Sequence, residues 1–226
     1  MKLYPLLPSS RTTRNMISIS RRLRISVVTP ESRPLSGIII LANGTPDDYV
    51  VTILSHHLDG KKIVGITKPQ RANWVAVFDI IQIYLRYRVD KLVMLIDQEN
   101  KPLDSLFEKI EKKISRVANI TNVKKYQRLI TYTCRRHEGE FRLIVIINGL
   151  DDYRFKRHTI EDHLLKAAEV FLGIKLSKND PKECWRNLRE EDQYEVFRKL
   201  SKTTSLDKLF PQQIKGLKSL LENSSH

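Results

Sequence analysis

The sequence predicts an α/β protein: a doubly wound, mostly parallel sheet with a mixed hairpin edge and helices added at the C-terminal end. Three observations carry this. Continuous apolar runs at residues 37–42 (GIIILA) and 92–96 (LVMLI) are what strands buried on both faces look like, because helices cover both sides of a parallel sheet. Strand-like and helix-like segments alternate three times between residues 37 and 117, the order of a doubly wound sheet. Past residue 128 two β-rich runs follow one another, which reads as a hairpin.

In order along the chain, residues 1–30 contain no Asp or Glu, while Arg11, Arg14, Arg21, Arg22 and Arg24 sit among Ser and Thr. This reads as a basic N-terminal arm, flexible to about Ser20, with a short edge strand at residues 24–29 (RISVVT). An organellar transit peptide is also Arg- and Ser-rich, but Pro5 and Pro8 interrupt the amphipathic helix it needs; a start at Met16 is a third reading. The core, residues 31–175, opens with the strand at 37–42. A turn and a helix follow, with Thr45 as N-cap, Pro46 first in the helix and Asp48 closing a capping box. Residues 61–67 (KKIVGIT) form the next strand, and residues 74–88 a helix with Val75, Phe78, Ile81, Ile83 and Leu85 at helical spacing. Beyond the strand at 92–96, residues 103–117 make an amphipathic helix with Leu106, Ile110 and Ile114 on one face. The hairpin runs through residues 128–134 and 141–148, joined by residues 135–140, and Thr159 with Asp162 opens a helix over residues 159–172. Residues 176–226 read as a helical extension, with helices near 181–188, 192–200 and 211–220 that dock on the sheet or on a protein partner.

Composition bounds the function. Forty Lys and Arg against 26 Asp and Glu give a formal net charge of +14, which favours polyanionic partners, nucleic acid before anionic membrane. Cys134 and Cys184, far apart and outside any CxxC, indicate neither a disulfide framework nor a zinc site. No apolar run is long enough to cross a bilayer, so a cytoplasmic protein without a membrane partner is expected.

The chemistry concentrates at strand ends. Residues 91–100 (KLVMLIDQEN) close an apolar run with Asp97 and Glu99, which the period-two alternation of a strand puts on one side. Such a pair suits a hard cation such as magnesium; the same residues are also ordinary turn formers. Asn43, Gly44 and Asp47 follow a second strand end and Asp151 and Asp152 a third. In an open α/β sheet, ligands bind beyond the carboxyl ends of the strands where strand order reverses, so these groups are expected to line one crevice. Arg154, Lys156, Arg157 and His158 add positive charge just ahead of a helix N-terminus, a setting that favours phosphate. Lys124, Lys125, Arg128, Arg135 and Arg136 form a candidate phosphate track whose binding weakens steeply with salt. No aromatic-rich strand of the kind that stacks splayed bases is present, so sequence-specific RNA reading is not indicated.

The order of these parts resembles the Toprim fold of topoisomerases, bacterial primases, recombination proteins and small nucleases. The first Toprim motif, hydrophobic strand, Glu, Gly and a helix entry with Asp, is matched by residues 39–47 (IILANGTPD), with Asn43 in the place of the Glu. The second, hydrophobic strand and Asp-x-Asp, is matched by residues 93–99 (VMLIDQE), with Glu99 in the place of the second Asp. Residues 158–165 (HTIEDHLL) are similar to the helix that follows the core in small archaeal and bacterial Toprim-like proteins. The resemblance covers roughly residues 36–172. It implies that Asp97 and Glu99 hold Mg²⁺, with Mn²⁺ as a substitute, that Asp47 supports the site, and that DNA or RNA is cleaved or transferred there. Asn43 departs from the pattern: an amide has no pKa near neutrality, and losing a positioned general base costs about 10²–10⁴-fold in rate. Two expectations follow from it, a metal-dependent nucleic-acid enzyme and a nucleic-acid-binding module that has lost turnover. Asp47, Asp48, Asp151 and His158 are candidate substitutes for the missing Glu, while Asp48 and Asp162 also have a capping role.

Overall fold

The structure is a computed structural model, and it describes residues 1–32, 34–58, 60–70, 74–86, 89–137, 139–176 and 178–222. A seven-stranded sheet with the order β1-β3-β2-β4-β7-β6-β5 organises it. The strands are β1 (Lys2–Pro5), β2 (Leu35–Leu41), β3 (Ile63–Thr67), β4 (Lys91–Asp97), β5 (Asn119–Tyr126), β6 (Leu129–Arg136) and β7 (Gly139–Asn148). β1, β3, β2, β4 and β7 run parallel; β6 and β5 continue antiparallel. The α/β class and the mixed edge stand as the apolar runs indicated.

Alternation along the central strands builds two cores. Ile39, Leu41, Val93, Leu95, Ile144 and Ile146 face one layer; Ile38, Ile40, Leu92, Met94, Ile96 and Val145 face the other. The second layer is closed by α3 (Trp74–Leu85) and α4 (Leu103–Ile114), through Phe78, Ile81, Leu106 and Ile110. The first is closed by α1 (Arg11–Leu23), α2 (Thr45–His56) and α5 (Ile160–Leu172), together with α6 (Pro181–Asn187), α7 (Glu190–Leu200), α8 (Leu206–Leu209) and α9 (Pro211–Leu221). Trp185, Phe197 and Leu217 from the last helices belong to the same apolar layer as Ile39 and Ile144, so residues 178–222 are built into the core of the sheet. No helix among the described residues is long and apolar enough to cross a membrane.

Several local expectations are corrected. The first thirty residues form an edge strand and a capped helix in place of a flexible arm: Leu3 is fully buried, and Ser10 Oγ accepts from Thr13 N at 3.2 Å. Their Ser- and Arg-rich pattern hid a helix whose buried stripe is Thr12, Met16, Ile19 and Ser20. Residues 24–29 make a single bridge, Val28 to Leu3, because Arg24 adopts a left-handed conformation that ends α1 and turns the chain back along β1. The N-cap of α2 is Gly44; Asp48 is drawn into contacts with Asn15 Nδ2 (2.7 Å) and Lys68 Nζ (3.4 Å) and closes no capping box. At α5 the expected Thr159 cap is present, with Asp162 Oδ1 receiving Thr159 N. β5 (NITNVKKY) was not foreseen: it is almost wholly exposed, so no apolar pattern marks it, and Lys124 and Lys125 blunt its open edge. Tyr87, Arg88 and Glu138, which fall in the expected helix and hairpin, lie outside the described residues.

α9 lies directly against β7, and Gly216 is what allows it. A Cβ there would stand 2.5 Å from Ile146 Cδ1 and 2.7 Å from Cγ1 of a side chain that is itself fully buried. Gly216→Val is expected to lower stability by about 2 kcal/mol, overpacking outweighing the gain in helix propensity over Gly. Urea unfolding of the two proteins measures it.

Candidate functional site

From β2 the chain passes through α2 to β3 on one side, then through α3 to β4 on the other. Strand order therefore reverses between β2 and β4, and a crevice opens beyond their carboxyl ends. Asp97, the last residue of β4, and Asn148, the last residue of β7, are register partners at its floor. α2 delivers Asp47 from its first turn and α5 delivers Glu161 from its own.

One amide holds the group together. Asn148 Nδ2 donates to Asp47 Oδ1 and to Asp97 Oδ1, both at 3.0 Å. Asp97 Oδ1 also receives Ile160 N at 3.1 Å, at the positive end of α5. Behind Asn148, its Oδ1 accepts from Gln213 Nε2 (2.9 Å) on α9, which also donates to His163 Nε2 (3.1 Å). Gly149 N donates to the same ring nitrogen at 3.2 Å, and His163 Nδ1 donates to Leu209 O at 2.7 Å. That polarity makes His163 a neutral imidazole, and burial pushes its pKa down to about 4.

The carboxylates are far less comfortable. Asp47, Asp97 and Glu161 are each at least nine-tenths buried, and Asp47 Oδ2 and Glu161 Oε2 have no hydrogen-bond partner. Burial, then the charge of Glu161, push Asp97 up to about 7 against the pull of Lys182 and Asn148. Burial, then the charges of Asp97 and Glu161, raise Asp47 well above the usual carboxylate range, and burial raises Glu161. Three desolvated acids in one place bind a proton tightly or call for a cation.

That cation is a side chain. Lys182 Nζ, on α6, lies 3.4 Å from Asp97 Oδ2 and 2.7 Å from Glu99 Oε1. Glu99 also pairs with Arg157, whose Nη1 lies 3.0 Å from Asp180 Oδ2. Burial pushes Glu99 up, but the bonds from Arg157 and Lys182 outweigh it and hold its pKa below the ordinary value.

The structure brings some of the expected residues together and separates others. Asp47 and Asp97 meet through Asn148, and Glu99 joins Asp97 through Lys182. The period-two argument for 97 and 99 does not apply, because β4 ends at Asp97 and Glu99 is left-handed (φ 59°), bridged to His158. Asn43 has a buried Nδ2 with no partner and makes no hydrogen bond to the acids among the described residues. Arg154 donates to the carbonyls of Leu176 (2.9 Å) and Lys178 (3.3 Å), Arg157 is ion-paired, and Lys156 is exposed. Lys124, Lys125, Arg135 and Arg136 lie on the β5–β6 edge, with Lys125 3.1 Å from Asp104. Arg128 is corrected from a surface contact to a buried one: 1% exposed, it holds Asp151 Oδ1 at 2.6 Å and so takes Asp151 out of the crevice as well.

Asn148, Glu161, Lys182 and Gln213 were missed as site residues. Glu161 and Asn148 carried a signal, an acid in the first turn of a helix and an amide closing an apolar run; Lys182 and Gln213 carried none, since only the docking of α6 and α9 brings them in. No family model matches the chain, and comparison with curated proteins and with solved structures finds no similar protein.

Proposed function

We propose that this chain is a Toprim-like nucleic-acid-binding module in which a lysine ammonium takes the position of a divalent ion. The observation that carries this reading is Lys182, seated between Asp97 and Glu99, the two acids expected to hold magnesium. The donor set does not fit that ion as it stands: among the described residues, no group of three or more His, Cys, Asp or Glu is placed to hold a metal. Asn43 removes the general base in addition. What supports nucleic acid as the partner is the charge of +14 and the exposed Lys124, Lys125, Arg135 and Lys156.

Fluorescence anisotropy with labelled single- and double-stranded DNA and RNA tests the binding. For six or more phosphate contacts, affinity is expected to fall on the order of 10³-fold between 50 and 200 mM salt. Undetectable or salt-insensitive binding rejects the reading. Millimolar Mg²⁺ or Mn²⁺ is expected to leave the melting temperature unchanged.

A second reading, magnesium- or manganese-dependent phosphodiester cleavage, is favoured by the partnerless oxygens of Asp47 and Glu161. It requires saturable stabilisation by the ion and nicking that Asp97→Ala abolishes. If the wild type is inert and Asn43→Glu nicks DNA or RNA, the chain is a retired enzyme.

A further inference from the structure

A second concavity lies away from the crevice, and no chemistry described above uses it. The left-handed turn at Arg24 folds residues 25–30 back beside the C-terminal half of α1, leaving a groove of about 760 Å³ between them. Its floor is apolar, formed by Pro5, Ile17, Ile25 and Val28. Volume and lining fall within the range of small-molecule sites, which are mainly apolar with a few placed polar groups.

Those polar groups are present. Ser20 lines the groove but its Oγ is closed off from it, so the charged groups are the ones that face a ligand. At the rim stand Arg21 and Arg24, both exposed and neither ion-paired among the described residues. The C-terminus of α1 contributes roughly half a negative charge there, against two full positive ones. The balance favours an anion. No acid lines the groove, and the first in the chain is Glu31.

We infer that this groove binds an amphipathic organic anion, an aliphatic or aromatic body on Ile17, Ile25 and Val28 with its carboxylate or phosphate held by Arg21 and Arg24. The apolar floor selects the body and the two guanidinium groups select the head. Inorganic phosphate alone leaves the floor in water, and a neutral alcohol leaves the arginines unused.

Isothermal titration of the full chain with dodecanoate, dodecyl phosphate, dodecanol and dodecyltrimethylammonium, each below its aggregation threshold, tests this. Saturable one-to-one binding of the two anions is expected, at least tenfold tighter than of dodecanol and without detectable binding of the cation. Arg21→Glu, on the exposed face of α1, is expected to weaken anion binding more than tenfold. Ile17→Trp fills the groove and abolishes it, with an unchanged melting temperature as the check on folding. Equal binding of anion and cation, no saturable binding, or binding untouched by both Arg21→Glu and Ile17→Trp overturns the inference. Nucleic-acid affinity is read in parallel, since the crevice and the β5–β6 edge share no residue with this groove.

Discussion

Asp97→Asn raises the melting temperature far more at pH 8.5 than at pH 5. The unfolded carboxyl titrates near 3.8 and the folded one at about 7, so between these values the folded state holds a proton that the unfolded state has released. Stability from a group raised in this way is fully present below 3.8 and is lost as pH rises through 7. At pH 8.5 the buried charge therefore works against the fold, by on the order of 4 kcal/mol at about 1.4 kcal/mol for each pH unit separating the two values. Asparagine keeps Oδ1 for Asn148 and Ile160 and carries nothing that must be desolvated. It gives up the contact of Oδ2 with Lys182 at 3.4 Å, while Lys182 retains Glu99 at 2.7 Å. At 2–4 °C per kcal/mol for a chain of this size, that corresponds to a rise of roughly 8–16 °C before the lost Lys182 contact is subtracted. His163, lowered to about 4, acts oppositely between that value and 6.5, so the informative quantity is variant minus wild type across pH. A difference that stays flat with pH would mean that Asp97 is ionised throughout, as the partner of Lys182.

Deleting residues 1–15 is expected to remove half or more of the stability, or to leave the chain insoluble. The deletion takes away β1 and the first turn of α1, and with them Met1 and Leu3, which are 2% and 0% exposed. Each such side chain is worth about 1.5–3 kcal/mol, and β3, Ile25 and Val27 lose their cover besides. Native stabilities total about 5–15 kcal/mol, so little margin remains. Urea unfolding followed by circular dichroism measures the loss; a midpoint equal to wild type would return residues 1–15 to the status of a dispensable arm.

How legible the molecule was in its sequence depended on burial. The central strands announced themselves because both of their faces are covered, and Ile38 to Leu41 or Leu92 to Ile96 had nowhere polar to point. β5 stayed hidden for the opposite reason, with seven of its eight residues facing water. The crevice was legible as a place, since strand order alone locates it and Asp47 and Asp97 do meet there. Its electrostatics were not. Lys182 lies 85 positions beyond Asp97 and Gln213 lies 65 beyond Asn148, and neither separation leaves a local trace. Glu161 looked like a helix-end acid, and only its burial beside two others gives it a further meaning.

The link from Gln213 through Asn148 to Asp47 and Asp97 also makes the crevice depend on the docking of α9. Without α9 on β7, Asn148 Oδ1 loses its Gln213 donor and His163 Nε2 keeps Gly149 N alone. Loosening α9 therefore disturbs the floor of the crevice from behind Asn148, without altering any of the three acids themselves.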